Sequence, residues 1–172
     1  MNDIKIFSIG KINNNDEMVC IKLDAKYSEG LKGLSEYSHV QVLWWADGCD
    51  NESDRSILIE DKPYKKGPDK LGVFALHSPE RPNPIAVSNV NISYVDEENG
   101  IVGLYYIDAF DGTNVLDLKP YVPSVDRVEN AKVPNWCSHW PKSYEESAEF
   151  DWESEFNFLE GGQHGTSRLY LQ

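Results

Sequence analysis

Short runs in which apolar and polar residues alternate are the main pattern along the chain. Alternation with a period of two is typical of a strand that buries one face. Together with brief apolar runs, it predicts strands over residues 4–9, 19–23, 40–45, 71–76, 90–94, 101–107 and 115–118. Helical periodicity is weak, and only residues 28–37 and 143–149 predict a turn or two of helix.

The connections between these strands indicate a mainly-β fold. Residues 96–100 carry the turn sequence Asp-Glu-Glu-Asn-Gly, so the strands on either side should form an antiparallel hairpin. Residues 51–70 are rich in charged and turn-forming residues and predict a long surface loop. Many short strands joined by polar turns predict an antiparallel sheet that curls into a barrel or a sandwich. No glycine-rich strand–turn–helix unit is present, which argues against a Rossmann nucleotide-binding fold.

The composition is that of a globular protein with a real core. The 172 residues are 40% hydrophobic and 12% aromatic. No apolar run is long enough to span a membrane, and the first residues do not resemble a signal peptide. Cys20, Cys49 and Cys137 are isolated, so we interpret them as reduced thiols of a cytoplasmic protein. Cys137 and His139 lack a second pair of ligands, so no metal site is predicted.

The net charge of −13 argues against a broad nucleic-acid-binding surface, because such surfaces neutralise phosphate groups. The one basic cluster consists of Lys62, Lys65, Lys66 and Lys70. A cluster of this kind is more often a solvated loop than an RNA contact, but any polynucleotide would need it. Binding of tRNA is therefore disfavoured by charge, although it is not excluded.

Acidic residues concentrate towards the C-terminus, which predicts a division of the chain into a β domain, residues 1–142, and an acidic aromatic tail, residues 143–172. The interpretation that we favour is a solvated tail. The alternative is a segment that covers a basic surface or docks on a partner through its aromatic side chains, Phe150, Trp152, Phe156 and Phe158.

A proline-rich loop is the most informative segment. Pro79, Pro82 and Pro84 fall close together, and each fixes its own φ and restricts the residue before it. Such a loop is stiff and can present Ser78, Arg81 and Asn83 to a small ligand with little loss of entropy. We therefore expect Arg81→Ala to lower ligand affinity more than stability.

Two other groups of polar residues are candidates for a site. The strand at residues 115–118 places Asp117 and Lys119 on one face, followed by Tyr121. This pair is either a solvent-facing ion pair, which would contribute little, or a buried pair lining a pocket. His39, next to Ser38, is expected to be structural, whereas His77 is better placed to contact a ligand. His77 and Ser78 should point to opposite faces, which argues against a nucleophile–base pair.

Three segments resemble the TsaA-like (TrmO) family. They are Gly-Leu-Lys-Gly-Leu-Ser-Glu-Tyr-Ser-His at residues 30–39, Gly-Val-Phe-Ala at 72–75 with Ser-Pro-Glu-Arg-Pro-Asn-Pro-Ile at 78–85, and Asp-Gly-Thr-Asn-Val-Leu-Asp-Leu-Lys-Pro-Tyr-Val-Pro at 111–123. The resemblance implies a compact single-sheet β-barrel and a homodimer with S-adenosylmethionine near the subunit interface. It also implies methylation of the exocyclic amine of threonylcarbamoyl-adenosine in tRNA.

The same resemblance suggests site residues by correspondence. We expect the catalytic side chains to be Arg81, Asn83, Asp117, Lys119 and Tyr121. We expect the cofactor to contact His77, Ser78, Pro84, Val87, Ile107, Asp108 and Ala109.

The chain departs from the family pattern at some of these positions. His77 replaces an arginine, Ala46 and Asp47 replace an aromatic–histidine pair, and the cofactor-contacting N-terminal loop is not recognisable between Gly10 and Val19. Two rival functions stay open: methylation of a small molecule or another RNA, and a non-catalytic barrel that binds a nucleoside or a protein.

Overall fold

The computed structural model describes residues 4–157 and contains eight strands and three short helices among them. The strands are β1 (Gly10–Asn14), β2 (Val19–Leu23), β3 (His39–Trp45), β4 (Ile59–Asp61), β5 (Lys70–Gly72), β6 (Ile85–Asp96), β7 (Ile101–Leu104) and β8 (Asn114–Pro120). The helices are α1 (Glu52–Arg55), α2 (Pro123–Asp126) and α3 (Tyr144–Ser147). Short 3₁₀ turns include Ala25–Leu31, Leu34–Glu36 and Val73–Ala75.

Contacts divide the chain into two compact units. We call Met1–Asp50 with Pro84–Arg127 the barrel unit, and Asn51–Asn83 with Val128–Gln172 the aromatic unit. This division differs from the one predicted at residue 142, because residues 51–83 group with the C-terminal part of the chain. Each unit has its own buried side chains.

The barrel unit is a closed antiparallel barrel with the strand order β1-β2-β7-β6-β3-β8. β1 pairs with β8 and closes the sheet. Alternate side chains of each strand point inwards, and the fully buried ones include Ile12, Ile21, Val40, Val42, Val90, Val102 and Val115. The predicted barrel is therefore confirmed, and the sandwich alternative is wrong.

Two glycines allow the barrel strands to approach closely. A Cβ added at Gly10 would lie 2.3 Å from the backbone oxygen of Lys22, on the paired strand β2. A Cβ at Gly103 would lie 2.1 Å from a ring atom of Tyr94, which packs across β7. No side chain fits at either position, so both close approaches require glycine.

The strand predictions hold best where alternation is regular. β2 and β3 lie where the sequence predicts them, and the β6–β7 hairpin turns at residues 97–100 as expected. The prediction for residues 4–9 is wrong: they form no strand, and Ile4, Ile6 and Phe7 are exposed. Ile9 bonds to the sheet through its N–H, which donates to the carbonyl oxygen of Val115 in β8 at 2.8 Å. β1 begins instead at Gly10, where the sequence is too polar for alternation to indicate a strand.

The surface loop predicted over residues 51–70 is also wrong. Asn51 caps α1 by accepting a hydrogen bond from the backbone N–H of Asp54, and β4 pairs with β5. Tyr64 is buried and stacks on Trp136 with ring centroids 5.0 Å apart. The predicted strand at residues 71–76 is β5 for its first part only, because Val73–Ala75 turns into a 3₁₀ turn.

Aromatic side chains form the core of the aromatic unit. Phe156 and Leu76 are buried with Tyr64, and Trp136, Trp140 and Trp152 pack around them. Glu155 is only 2% exposed and pairs with Lys66 at 2.8 Å. Residues 143–157 of the predicted tail therefore do not form a purely solvated segment, and they cover part of the basic cluster. Phe158 lies outside the described residues.

Other sequence predictions concern chemistry rather than architecture. Cys20, Cys49 and Cys137 are all buried thiols. Between residues 4 and 157, no helix is long and apolar enough to cross a membrane. In the same range, no group of three or more His, Cys, Asp or Glu side chains is arranged to hold a metal ion.

Candidate functional site

The proline-rich loop belongs to the aromatic unit as far as Asn83. Ser78 and Pro79 are buried, whereas Asn83 is exposed. His77 is exposed next to the buried Ser78, so the two side chains diverge as predicted. The loop therefore buries its start and presents His77 and Asn83 to solvent.

Arg81 holds the loop together through hydrogen bonds to its backbone. Its Nε donates to the carbonyl oxygen of Ser78 at 2.7 Å, and its Nη2 donates to those of Val73 at 2.8 Å and Leu76 at 2.6 Å. A planar guanidinium can bind several carbonyls in one fixed arrangement. These contacts indicate that Arg81→Ala would also lower stability, whereas the sequence prediction expected mainly a loss of ligand affinity. A role for Arg81 at a ligand stays a prediction.

Glu60 is a polar residue of this loop region that sequence reasoning missed. It accepts a hydrogen bond from the Ser78 hydroxyl. Burial raises the pKa of the Glu60 carboxyl, with Glu80 adding to the effect, while Ser78 and Arg81 act in the opposite direction. Glu60 lies in a segment whose charged composition resembled a solvated loop, so no local pattern indicated that it would contact Ser78.

The other predicted catalytic residues belong to the barrel unit. Lys119 Nζ lies 2.6 Å from Asp117 Oδ2, and both side chains are about half exposed. The pair is thus an ion pair at the surface of β8, as in the solvent-facing alternative, yet Asp117 also lines a cavity. Tyr121 follows β8 and lies beside His39, with ring centroids 6.2 Å apart.

Asp117 also has a structural contact. Its Oδ1 accepts a hydrogen bond from the backbone N–H of Leu118 at 3.0 Å. The N–H of Tyr121 donates to His39 of β3, so by the alternation of an antiparallel ladder the N–H of Leu118 points away from β3. Asp117 therefore provides a hydrogen-bond acceptor for the Leu118 N–H, on the side of β8 that faces away from β3. Pro120 lies on the same side of the strand and has no N–H that needs an acceptor.

The strands β6, β3 and β8 bring several predicted residues onto one outer face. Leu43 of β3 stands opposite Val87 of β6 on one side and Asp117 of β8 on the other. Gln41 stands between Asn89 and Lys119 in the next row. Residues two strands apart in a row are about 10 Å from each other. Val87, a predicted cofactor contact, and Asp117, a predicted catalytic residue, therefore share a surface.

Residues 107–109 are buried and fixed by a residue that sequence reasoning missed. Asn14, the last residue of β1, donates from Nδ2 to the carbonyl oxygens of Ile107 at 3.1 Å and Ala109 at 2.7 Å. Its backbone N–H donates to Asp111 Oδ1 at 2.9 Å. Asn14 lies within the N-terminal stretch in which no family loop is recognisable, and a single Asn in a polar run gives no signal.

Asp47 lies at the same end of the barrel and has a defined role. Its carboxylate accepts hydrogen bonds from Asn114 Nδ2 at 3.1 and 3.2 Å, where β8 begins. Pro84 is buried, and its carbonyl oxygen accepts from the N–H of Ala46 at 2.8 Å. Asp108, which is buried, and Asp111 lie at the same end, as does Lys11, whose Nζ donates to the carbonyl oxygen of Gly112 at 3.0 Å.

A cavity of about 500 Å³ lies at the other end of the barrel. Asp117, Leu118 and Pro120 form one wall, and Tyr27, Leu31 and Tyr37 of the 3₁₀ region lie among the remaining lining residues. β1 and β2 run between the two ends, with Leu23 at the cavity and Asn14 at residues 107–109. The structure thus does not place Asp117 and residues 107–109 around one cavity.

Comparison with known proteins places this arrangement in a family. The family model for the tRNA-methyltransferase O N-terminal domain matches residues 10–127, a range that contains every barrel strand. The chain belongs to this family. The family predicted from the three sequence segments is therefore confirmed.

Individual relatives agree with the family match. A probable S-adenosyl-L-methionine-binding protein of Pyrococcus abyssi is 36% identical over 113 residues, covering 66% of this chain and 57% of that protein. A tRNA (adenine(37)-N6)-methyltransferase of Mus musculus is 36% identical over 105 residues, covering 61% of this chain and 23% of that protein. The chain thus spans less than two thirds of the length of either relative.

A solved structure supports the fold independently. A crystal structure of TrmO from P. aeruginosa superposes with a TM-score of 0.60 at 27% identity. The superposition covers 78% of this chain and 62% of that chain. This TrmO family member therefore shares its fold with a solved relative over most of the chain.

Proposed function

We propose that this TrmO family member is an S-adenosylmethionine-dependent methyltransferase acting on tRNA, and that its acceptor is the exocyclic amine of threonylcarbamoyl-adenosine. The observation that carries the proposal is the family match over residues 10–127, joined with the adenine N6-methyltransferase activity in the name of the mouse relative. The S-adenosyl-L-methionine-binding relative supports the choice of methyl donor.

The residues at the end of the barrel that contains Asp47 fit such a donor. S-adenosylmethionine supplies a methyl group already activated by a sulfonium, so the protein mainly has to align donor and acceptor. Asp47 and Asp111 place exposed carboxylates at this end that suit a sulfonium and an ammonium group. Asn14 fixes the backbone of residues 107–109, which keeps this end of the barrel preorganised. Val87 offers exposed apolar surface for an adenosine group.

The remaining predicted site residues have separate tasks. Arg81 keeps the proline-rich loop in one shape, which leaves Asn83 and His77 exposed and available to a substrate. Lys119 and Asp117 form a half-exposed ion pair that can position polar groups of the acceptor. Within the barrel unit, we assign Asp117 and Lys119 to the acceptor because they are accessible.

We also propose that the protein acts as a homodimer, which is the assembly that the family resemblance implies. A cytoplasmic location is part of the same proposal, and the buried thiols agree with it. Sedimentation equilibrium of the purified chain tests the dimer: a monomer at the concentration used for methylation would exclude it.

The function is tested by methylating tRNA in vitro. The protein is incubated with S-adenosylmethionine and tRNA from a strain that lacks this methylation. The tRNA is then digested to nucleosides, and their masses are measured by mass spectrometry. We expect a gain of one methyl group on threonylcarbamoyl-adenosine, and no gain on tRNA without the threonylcarbamoyl group. If no tRNA nucleoside gains a methyl group in any of these reactions, the proposal is wrong.

One observation favours a second candidate, a methyltransferase for a small molecule or a different RNA. Lys62, Lys66 and Lys70 each pair with an acidic side chain of the protein, and Lys65 Nζ donates to the carbonyl oxygen of Glu153. The one basic cluster is thus largely neutralised within the aromatic unit, which weakens its attraction for phosphate. Donor binding without methylation of tRNA would select this candidate over the first. A protein that binds a nucleoside but not the donor would instead be the non-catalytic barrel.

A further inference from the structure

The residues before β1 form an apolar segment that the barrel leaves in solvent. We call residues 4–8 the N-terminal arm. Ile4 is 88% exposed, Ile6 52% and Phe7 68%. Burial of such side chains is strongly favourable, and neighbouring exposed apolar side chains mark interaction sites. The N-terminal arm is therefore a candidate contact surface of the barrel unit.

The cavity of about 500 Å³ begins where the N-terminal arm ends. Ile9 directly follows the arm and is one of the residues that line this cavity. The rest of the lining is largely apolar and includes Leu23, Leu31, Leu34, Leu118, Tyr27 and Tyr37. The arm and all of these lining residues belong to the barrel unit. One unit thus carries both an exposed apolar segment and an apolar cavity of matching chemistry.

The N-terminal arm is poorly placed to fill the cavity of its own chain. Ile9 is fixed, because its N–H donates to the carbonyl oxygen of Val115 at 2.8 Å and its carbonyl oxygen accepts from the N–H of Asp24 at 2.9 Å. The arm sequence Ile-Lys-Ile-Phe-Ser contains no glycine, proline or asparagine that would favour a tight reversal just before this fixed residue. Its β-branched and aromatic residues favour an extended backbone, which projects from the barrel.

The edge of β8 next to the cavity offers the arm little backbone pairing. β1 pairs with β8 only at Gly10 and Lys11. Further along this edge, the N–H of Leu118 is bound to Asp117 Oδ1 at 3.0 Å, and Pro120 has no N–H. A chain laid along the edge would therefore find few free donors. The apolar side chains of the arm, rather than its backbone, are what a docking site has to accommodate.

We propose that two copies of the chain exchange N-terminal arms, so that the apolar side chains of each arm enter the cavity of the other copy. A two-fold axis repeats the contact, and every substitution therefore acts twice in the dimer. Charge favours the same placement, because the arm carries Lys5 and the cavity wall carries the carboxylate of Asp117, which is 46% exposed. This inference rests on the homodimer of the proposed function, and it goes beyond that proposal by naming the two surfaces in contact.

The first test measures dimerisation of the full chain. Ile4→Ser, Ile6→Ser and Phe7→Ser together form the arm variant. Gly30→Phe is the cavity variant, because Gly30 lines the cavity and a Cβ added there meets no atom within 4 Å. Val125→Ser is the matched control, since Val125 is 78% exposed in the same unit but does not line the cavity. Sedimentation equilibrium gives the dimer Kd, and thermal melting verifies that each variant is folded.

We expect the arm variant to raise the dimer Kd by at least about 100-fold, because three apolar side chains lose their contacts at both copies of the interface. Gly30→Phe should raise this Kd by about 10-fold or more, because its ring occupies the space that the arm needs. Val125→Ser should leave the dimer Kd unchanged. At concentrations where wild type is a monomer, the arm variant should melt like wild type, because its substituted side chains are exposed there.

Cross-linking distinguishes exchange from closure within one chain. A copy with Phe7→Cys is mixed with a differently tagged copy with Gly30→Cys, and a short bismaleimide is added. Cys20, Cys49 and Cys137 are buried, so they do not compete for the reagent. We expect a product that joins the two tags. A single chain with both substitutions, diluted until it is a monomer, should give no internal link.

Three results would overturn the inference. An unchanged dimer Kd in the folded arm variant would place the interface elsewhere, and the proposed methylation of tRNA would stand. A cross-link that forms only within one chain would show that the arm closes its own cavity. A wild type that is a monomer while it methylates tRNA would end both the exchange and the proposed homodimer, but not the proposed reaction. An arm-dependent dimer that methylates no tRNA would instead support the exchange and end the proposed reaction alone.

Discussion

At the scale of single residues, Arg81 is a motif residue whose side chain hydrogen-bonds to the protein backbone. Its guanidinium donates to three backbone carbonyl oxygens, in a loop whose prolines have no N–H groups of their own. The stiffness of the loop therefore has two sources, the fixed φ of its prolines and one long side chain. Sequence reasoning identified the first source and assigned Arg81 to a ligand, because spacing does not show where a guanidinium points.

Replacing Arg81 should destabilise the protein. Arg81→Ala leaves three partly buried carbonyls without their charged donor, and we expect a loss of about 3 kcal/mol in the free energy of unfolding. Urea denaturation measures it, with the exposed Arg127→Ala as a control that should change stability by less than about 0.5 kcal/mol. A folded Arg81→Ala of wild-type stability that has lost only ligand affinity would restore the original interpretation.

The lowered pKa of Glu155 predicts how stability depends on pH. Burial alone raises the pKa of Glu155, but hydrogen bonds from Lys66, His139 and Trp140 outweigh it and lower the pKa to about 2, below the ordinary value of 4.5. A carboxyl with a lowered pKa in the folded state stabilises it above the ordinary pKa, and this stabilisation is lost as the pH falls from 4.5 towards 2.

The melting temperature should therefore fall steeply in this acid range, and Glu155→Gln should flatten the fall and lower the melting temperature at pH 7. The exposed Glu149→Gln is the control, because its removal should leave the acid transition in place. An unchanged pH profile in Glu155→Gln would show that other groups cause the acid loss.

Strands and turns could be predicted from the sequence as far as their side chains alternate. β3 alternates strictly between half-buried and buried residues, and the sequence predicts it almost to the residue. β1 is polar at three of its five positions, yet it closes the barrel through Gly10, whose role depends on the neighbouring strand. Tyr64 and Phe156 meet only through tertiary packing, so their local sequences resembled a loop and a tail.

Gly10 gives a prediction at the scale of the element. In Gly10→Ala the new Cβ would lie 2.3 Å from the Lys22 backbone oxygen, so β1 and β2 must separate. We expect a loss of about 3 kcal/mol in the free energy of unfolding, at the upper end of what overpacking costs. Gly30→Ala is the matched control, because an added Cβ there meets no atom within 4 Å. Equal stability of the two variants, measured by urea denaturation, would contradict the close approach of β1 and β2.

At the scale of the whole molecule, the two units differ in how far they could be predicted from the sequence. The barrel unit follows from strand periodicity and from motifs that match a family over residues 10–127. The aromatic unit combines residues 51–83 with the C-terminal part of the chain, and no local pattern indicates that these distant segments associate. Composition correctly indicated an acidic protein, but it did not reveal that Glu155 pairs with Lys66 of the basic cluster.

The predicted site residues are likewise divided between the units. Arg81, Asn83, His77 and Ser78 belong to the aromatic unit, and the remaining predicted residues belong to the barrel unit. Their assignment to catalysis and to the cofactor stays a prediction. Asp47 and Asn14 were not among the predicted site residues, but they lie at one end of the barrel, and their substitution would best separate donor binding from acceptor binding.

Donor binding by the barrel is the claim on which the proposed function depends, and isothermal titration calorimetry measures it most directly. The purified protein is titrated with S-adenosylmethionine and, separately, with S-adenosylhomocysteine, and Asp47→Asn is titrated in parallel. We predict saturable binding of both ligands at one site per chain. Asp47→Asn should lower the affinity for S-adenosylmethionine, whose sulfur is positively charged, more than the affinity for S-adenosylhomocysteine, whose sulfur is neutral. No heat and no thermal shift with either ligand at millimolar concentration would contradict the account.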